Sequence, residues 1–434
     1  MQKLKLFFSK VLASDELKRK FGFTLLIFVC ARFLANVPLP FINTAALSSM
    51  FQQYEFLSFL NIVAGGTLAS LSLVAVGISP YITASIIMQL MSFIWPTLKE
   101  LQKDGEKGRL KLNQYTRLLS LPVAVIQSFS IIAILRSSNL LTAEGISVTA
   151  TLIFFLTVGS FMMLWLSELI GAYGIGNGTS MIMLLGIVSQ LPTTFAQFNS
   201  LMSSDLGGTG WFKVIILFLS VLAVVAVVVL MDQSVRKVPI QYARRIQGNR
   251  QIGGQTTFFP IKLNAVGVMP IIFTVTIISI PSFVGSLLTQ LEVDTTWYNV
   301  GRFLTETFSR TSPWYIGIYF TIVFVFSYFS ALLFFDTQDI SDELKKSGAF
   351  IPGIRPGQHT QKFLEIVMKR LTFVDGVFLS CIAVLPFILG LFMPGAESIS
   401  IGGTSLLIAV SVILEINKTV EGTAVEQNYD KYLD

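Results

Sequence analysis

Between Val214 and Met231 the chain carries no charge and shows no alternation of apolar with polar residues. A run of this kind does not suit a transmembrane β-strand, which is shorter and alternates lumen with lipid. It suits a helix in hydrocarbon, which needs roughly 20 apolar residues. The rest of the chain repeats the pattern. Only 13% of its 434 residues are charged, where a soluble chain carries about 25%.

Ten apolar runs read as spans, near 21–39, 74–95, 117–135, 148–168, 178–192, 213–231, 264–288, 314–335, 372–392 and 400–417. The basic start Met1–Lys20 could belong to a signal peptide. The segment that follows is long, contains Arg32 and lacks a clear small-residue cleavage site, so it reads as an uncleaved first span. Phe56–Leu73 is only weakly apolar and is broken by Gly65 and Gly66, so it reads as a half-inserted piece.

Basic residues set the orientation. They gather in the N-terminal segment (Lys3 to Lys20), in the loops after spans two, six and eight, and at Lys418 and Lys431. The opposite loops hold Arg136, Arg302 and Arg310. Both termini are therefore expected on the cytoplasmic side. The midpoint follows span five. Five is odd, so a second half related to the first would enter from the other face as an inverted repeat. The expected layout is a segment 1–20, a first half 21–195, a second half 196–417 and a tail 418–434. By eye the two halves look dissimilar in sequence.

The spans lack the mid-depth acids and histidines of an ion-coupled transporter. Glu168, Asp232, Asp336 and Glu415 fall near span ends and Asp375 early in span nine, where snorkelling or a local pair is the expectation. The one histidine, His359, excludes a multi-histidine metal site within the chain. Cys30 and Cys381 both lie in apolar runs and suggest no disulfide framework. Gly174–Gly178 (GIGNG) could suggest a nucleotide loop, but it follows no strand, and a tight turn is the better reading. No Walker motif, triad or HExxH motif appears, so no catalytic residue, metal or cofactor is assigned. Any nucleotide energy must come from a partner.

A polar stretch between two apolar runs stands out: Lys345–Gly357, KKSGAFIPGIRPG. Pro352, Gly353, Pro356 and Gly357 should shape it and hold Lys345, Lys346 and Arg355 out for a partner. The basic loop after span six is its counterpart. The expected docking loops are about 233–262 and 336–371.

Several blocks, in order, carry a resemblance. They are Phe59–Met91, Lys103–Arg117, Gly174–Pro192 (GIGNGTSMIMLLGIVSQLP), Arg236–Arg250 (RKVPIQYARRIQGNR), Phe259–Phe273, Lys345–Gly357 and Gly402–Ile408. Together they resemble the SecY family, the pore subunit of the protein translocation channel, most closely its bacterial form. The resemblance implies an all-α polytopic membrane protein. Its ten transmembrane helices would form two inverted, pseudo-symmetric five-helix halves with a plug half-helix. The pore would pass unfolded secretory polypeptides and release transmembrane helices laterally into lipid.

The resemblance also implies site residues. Ile78, Ile82, Met183, Ile272 and Ile408 match an apolar pore ring, with Ile78 and Ile82 expected on one helix face. A narrow apolar ring gates by dewetting. Met183 stands where Ile is commoner. Phe59–Leu73 matches the plug, with Gly65, Gly66, Thr67, Leu68, Ala69, Ser70 and Leu71 at its centre. An Arg frequent after those glycines is missing here, which puts a plug salt bridge in doubt. Gln89 and Asn264 match polar positions of the lateral gate between spans two, three, seven and eight. Arg244, Arg245, Arg250, Lys345, Lys346 and Arg355 match the docking surface for the SecA motor ATPase and the ribosome. Basic loops suit ribosomal RNA electrostatically.

After Val37–Pro40 the family usually continues Gly-Ile-Asp, where this chain has Phe41, Ile42 and Asn43. Implied partners are SecE-type and SecG-type subunits, SecA, the ribosome, signal sequences and nascent chains, the lipid bilayer and a YidC-type insertase. The implied location is the bacterial cytoplasmic membrane. Two other classes make different demands: a secondary transporter needs a mid-membrane charged site, and an intramembrane enzyme needs a polar catalytic cluster. Neither feature is evident in the sequence.

Overall fold

The computed structural model describes residues 15–41, 71–137, 141, 145–204, 210–242, 245–247, 250–252, 256–264, 267, 269–289, 296–308, 312–335, 337–392 and 402–430. The helices are α1 (Asp15–Ala35), α2 (Ser79–Ile94), α3 (Pro96–Lys103), α4 (Gly105–Ser137), α5 (Ile146–Tyr173), α6 (Gly178–Ser204) and α7 (Gly210–Gln233). Then come strands β1 (Val235–Tyr242), β2 (Arg245–Gln247), β3 (Arg250–Ile252) and β4 (Thr256–Lys262). The chain continues with α8 (Met269–Leu288), α9 (Thr296–Thr307), α10 (Pro313–Phe334), α11 (Thr337–Lys346), β5 (Ala349–Phe350), α12 (Gln358–Phe392) and α13 (Gly402–Asp430).

A helix underlies each expected span, and the molecule is mostly helical. Among the described residues, Gly105–Ala133, Ile146–Tyr173 and Trp314–Ala331 are long and apolar enough to cross a membrane. The pair α2 and α3 would be a fourth if counted as one broken span; it bends by 110°. Trp95, the single residue between the two helices, is extended (φ −98°, ψ 117°), and Pro96 opens α3, where its missing N–H costs nothing.

The helices outrun the apolar stretches. α4 begins at Gly105, well before the expected start of span three, and carries Lys107, Arg109 and Lys111. α12 begins at Gln358, and α13 continues through the tail to Asp430. Hydropathy marks the part of a helix that suits lipid, whereas backbone hydrogen bonding continues for as long as the flanking residues are helix formers.

Residue contacts divide the chain into two compact units. One holds Met1–Val214, Ile278–Ser312 and Ile408–Asp434. Within it α2 packs on α4, α4 on α5, and α5 on α1 and α6. Its glycines permit close crossings. A Cβ on Gly159 of α5 would lie 2.0 Å from the Leu73 carbonyl oxygen, so only glycine lets the two backbones meet. The Gly174–Gly178 turn is a tight corner, as expected. Gly176 has φ +73°, and a Cβ on Gly178 would lie 1.7 Å from the Ser167 carbonyl oxygen. The Ile175 N–H donates to Thr24 Oγ1 at 3.2 Å. Leu17, Ile175 and Val420 form a small buried cluster, so the start of the tail is packed helix.

The other unit holds Ile215–Ile277 and Pro313–Leu407. Its main contact is the α10–α12 pair. Aromatic rings fill much of this seam: Phe324 meets Phe373 edge to face at 5.8 Å, and Phe387 meets Tyr315 at 5.1 Å. The unit also holds a three-stranded antiparallel sheet, ordered β4-β1-β5, with a separate β2–β3 ladder. Pro239 is tolerated in the middle strand because β5 pairs only with Gln241 and Tyr242, leaving β1 an edge at the proline.

Two acids expected to behave alike differ. Glu168 makes a local pair with Arg117 at 2.6 Å. Asp375 neither snorkels nor pairs: it is 2% exposed and its Oδ1 has no hydrogen-bond partner, as is also true of Ser327 Oγ and Ser330 Oγ on α10.

Candidate functional site: an apolar constriction and a basic platform

The first site is apolar and lies in the first unit. Val37–Leu39 and Leu71–Leu73 run antiparallel: Leu39 N–H donates to the Leu71 carbonyl at 2.9 Å and Leu73 N–H to the Val37 carbonyl at 2.8 Å. Leu71 is buried and takes φ +41°, a left-handed conformation unfavourable for leucine, which the pairing and burial on either side hold in place. Turns then carry the chain through Gly77 (φ +58°) to Ile78.

Ile78 was expected inside a helix, on one face with Ile82. It is instead the N-cap of α2. The cause is Pro80: with no N–H to give, it suits the first turn of a helix and not its interior. The Ile78 carbonyl accepts from the N–H groups of Tyr81 and Ile82, so the two isoleucines remain on adjacent turns. Both belong to one apolar cluster with Met183 and Ile408. That cluster also takes Ile27, Ala31 and Ala35 from α1, Met163, Leu166 and Ile170 from α5, and Val412 from α13. Four of the five expected ring residues are thus drawn together from three separate stretches of chain. Ile272 is buried in the second unit, at the start of α8.

Of the expected plug residues, Gly65, Gly66, Thr67, Leu68, Ala69 and Ser70 lie outside the described residues. Leu71 alone is described. Gln89 and Asn264 make local contacts. Gln89 Nε2 donates to Ser85 Oγ at 3.2 Å, and its Oε1 is buried without a partner. Asn264 Oδ1 accepts from the Gly267 N–H at 2.8 Å. A polar contact absent from the sequence reading joins α2 to α4: Gln127 Nε2 donates to Thr83 Oγ1 at 3.3 Å. The two positions are far apart in sequence, and each looks like an ordinary polar residue within a span. Only alignment of the helices brings them together.

The second site is polar outside and apolar within. The sequence suggests loops; the structure has a folded platform. Val238 and Ile240 alternate along β1 and turn inward, joined by Ile261 of β4. They share a core with Ile351, Leu364 and Met368, flanked by Ile340 and Leu344 of α11. The alternation in VRKVPIQY is the signal that could have revealed β1 from sequence.

The Lys345–Gly357 stretch is shaped by its glycines and prolines, as expected. Gly348 ends α11 at φ +69°, with its N–H on the Lys345 carbonyl at 3.2 Å. The Ile354 N–H reaches the Ile351 carbonyl at 3.0 Å across Pro352 and Gly353. A proline followed by a glycine at φ +83° is the signature of a type II turn. Ser341 Oγ donates to the Gly357 carbonyl at 2.9 Å, and Thr360 Oγ1 to the Arg355 carbonyl at 3.1 Å. Arg355 is held at both flanks while its side chain stays exposed.

Lys345 and Lys346 are exposed in the last turn of α11, where cations oppose the helix dipole. Arg245 and Arg250 belong to the β2–β3 ladder, opposite Ile252 and Gln247 respectively. Arg244 lies outside the described residues. Among the described residues no group of three or more His, Cys, Asp or Glu side chains could hold a metal ion.

Comparison with known proteins agrees with this architecture. A family model described as SecY matches residues 72–417. The chain is 37% identical to a protein translocase subunit SecY of Corynebacterium glutamicum, over 96% of this chain and 97% of that one. It is 36% identical to the protein of the same description from Thermotoga maritima, over 98% and 97%. A solved protein-conducting channel shares the fold at a TM-score of 0.64 and 17% identity, covering 93% of this chain and 91% of that chain. Another, from work on the SecY plug domain, matches at 0.65 and 18% over the same shares. By the extent of these matches, the chain belongs to the SecY family of protein translocase subunits.

Proposed function

We propose that the apolar cluster of Ile78, Ile82, Met183 and Ile408 belongs to the constriction through which this subunit passes unfolded polypeptides, and that Ile272 is the fifth ring residue, as the resemblance to the family implies. The observation that carries the reading is the convergence of four residues from distant stretches of chain into one apolar cluster. Such a ring excludes ions by dewetting, yet has no hydrogen bonds to break when a chain enters. Gly65–Leu71 is assigned as the plug on the resemblance to the family. The chain is arranged as two five-span halves, 21–195 and 196–417. Gln89 and Asn264 contribute polar contacts at a lateral gate, each worth about 0.6–2 kcal/mol in a membrane. That is weak enough for an apolar signal helix to displace them and pass into lipid.

The platform is the docking surface. Lys345, Lys346 and Arg355, with Arg244, Arg245 and Arg250, receive a SecA-type motor or the ribosome on the cytoplasmic side of a bacterial membrane. SecE-type and SecG-type subunits and a YidC-type insertase complete the assembly. The subunit supplies no chemistry of its own; the docked partner supplies the energy. A structural neighbour solved as Sec61 in a canine ribosome–channel complex lends support to ribosome docking.

The test is reconstitution in proteoliposomes with the small partner subunits. A secretory precursor should become protease-protected only when SecA and ATP are present. Deleting Gly65–Leu71 should raise ion conductance. Unchanged conductance rejects the plug assignment, and saturable uptake of a small solute without precursor transport rejects the channel.

A further inference from the structure

α9 lies between two spans and has no part in the site described above. Its twelve residues, TWYNVGRFLTET, divide into three sectors. Gly301, Leu304 and Thr305 face the end of α8. There Gly301 and Gly285 meet so closely that a Cβ on Gly301 would lie 2.9 Å from the Gly285 carbonyl oxygen, and one on Gly285 would lie 3.0 Å from that of Gly301. Paired small residues of this kind let helices in membranes approach backbone to backbone. The second sector is polar: Asn299, and Arg302 bonded through Nε to Glu306 at 2.6 Å. The hydrogen bond to Glu306 raises the Arg302 guanidinium further above its ordinary value, and the ion pair sets an opposite charge directly beside it. The third sector is apolar and uncovered. Trp297 is 59% exposed, Val300 44% and Phe303 66%.

From this geometry we propose that α9 is an interfacial anchor, lying flat at the bilayer surface with Trp297, Val300 and Phe303 in the boundary between headgroups and acyl chains. Three observations single out lipid as the occupant. The helix is tethered to the C-terminal end of α8 by the seven residues 289–295, and the five residues 308–312 lead from it into α10. α10 is long and apolar enough to cross a membrane, and α8 opens with the shorter apolar stretch Met269–Ile278, so α9 is held by short connections between two apolar helices. The helix it packs against also turns apolar side chains outward: on α8 Ile280 is 57% and Val284 40% exposed. Finally, the order of the sectors is that of an interfacial helix: an aromatic apolar stripe, and a polar stripe with its charges paired. Because Arg302 is neutralised by Glu306, attachment should not require anionic lipid. Through the Gly285–Gly301 contact, the anchor fixes the depth of the end of α8.

The proposal rests on the membrane reading of the family and not on the pore assignment. It is tested by spin labels on the assembled complex in vesicles, with Cys30 and Cys381 replaced by serine. Single labels at Asn299→Cys, Val300→Cys and Phe303→Cys are compared for collision with oxygen, which concentrates in lipid, and with a water-soluble nickel chelate. Labels at 300 and 303 should favour oxygen, and the label at 299 the chelate. The order should be the same in zwitterionic phosphatidylcholine and in mixtures with phosphatidylglycerol.

Chelate access at all three positions would mean that α9 stands in water. Exclusion of both reagents at 300 and 303 would mean that a protein partner covers the face. Either overturns the proposal, and a requirement for phosphatidylglycerol overturns the apolar basis of attachment. If a label disrupts folding, brominated lipid provides a second measurement. The quenching it causes should fall on Trp297→Phe, and no fall places Trp297 away from lipid.

Discussion

The apolar constriction and the basic platform are both built around buried aliphatic clusters, but they use them in opposite ways. In the platform, Val238, Ile240, Ile261 and Leu364 form a buried core. The groups proposed to dock a partner, Lys345, Lys346 and Arg355, are solvent-exposed and rest on scaffolding formed by a type II turn, a helix-ending glycine and the Ser341 hydrogen bond. Stability and function reside in different atoms. In the constriction they reside in the same atoms, since Ile78, Ile82, Met183 and Ile408 both pack the unit and form the proposed ring. A substitution on the platform surface should therefore separate folding from activity, and one in the ring should not do so cleanly.

Gly159→Leu presses this comparison hardest. The added side chain would begin 2.0 Å from the Leu73 carbonyl oxygen, within the backbone that delivers Ile78. A loss above about 4 kcal/mol is expected, seen as failure to accumulate or as a collapse of the melting temperature in detergent. Near-normal accumulation would show that the Leu71–Ile78 segment is not held by α5.

Ile261→Ala comes next. Removing a fully buried side chain from the platform core should cost about 2–5 kcal/mol. Limited proteolysis should then cut within residues 235–262 while the helical spans stay protected. Uniform proteolysis of the whole chain would mean that the platform has no core of its own.

Ile408→Asn should cost about 1 kcal/mol, the low end for burying an amide, because Ile408 is only partly covered. Its effect on function should be larger. Wetting the ring should admit precursors with defective signal sequences, measured as their protease-protected fraction. Continued rejection of those precursors would remove Ile408 from the ring.

Arg355→Glu should leave stability within about 0.5 kcal/mol and yet slow SecA-driven translocation. Normal translocation would overturn the docking assignment. A large fall in melting temperature would instead place Arg355 in the scaffold.

The platform was half legible in the sequence. Pro352, Gly353 and Gly357 announced turns, and the structure has them. The strands were missed because β1 and β4 are short and embedded in a basic stretch whose charge dominates its appearance. The inward alternation of Val238 and Ile240 acquires meaning only once Ile261 and Ile351 are seen beside it. The helix lengths differ for a related reason: apolar runs report suitability for lipid, and α4, α12 and α13 continue past their apolar stretches on residues that favour helix without favouring lipid. In the constriction, the residue identities came from resemblance to a family. Spacing alone would have put Ile78 inside a helix, where Pro80 does not allow it.

The sequence by itself determined that this chain is built for a membrane, which stretches suit lipid and which loops carry positive charge. Those properties depend on transfer from water and on local hydrogen bonding, both of which act residue by residue. The tertiary structure alone decided that Ile78, Met183 and Ile408 meet, that Gln127 reaches Thr83, that Glu168 finds Arg117 while Asp375 is buried without a partner for its Oδ1, and that two basic loops share one core. Each of these depends on which helix faces which neighbour. That is settled by close packing, by the glycines that permit it, and by contacts between residues far apart in the chain, none of which leaves a periodic trace in the sequence.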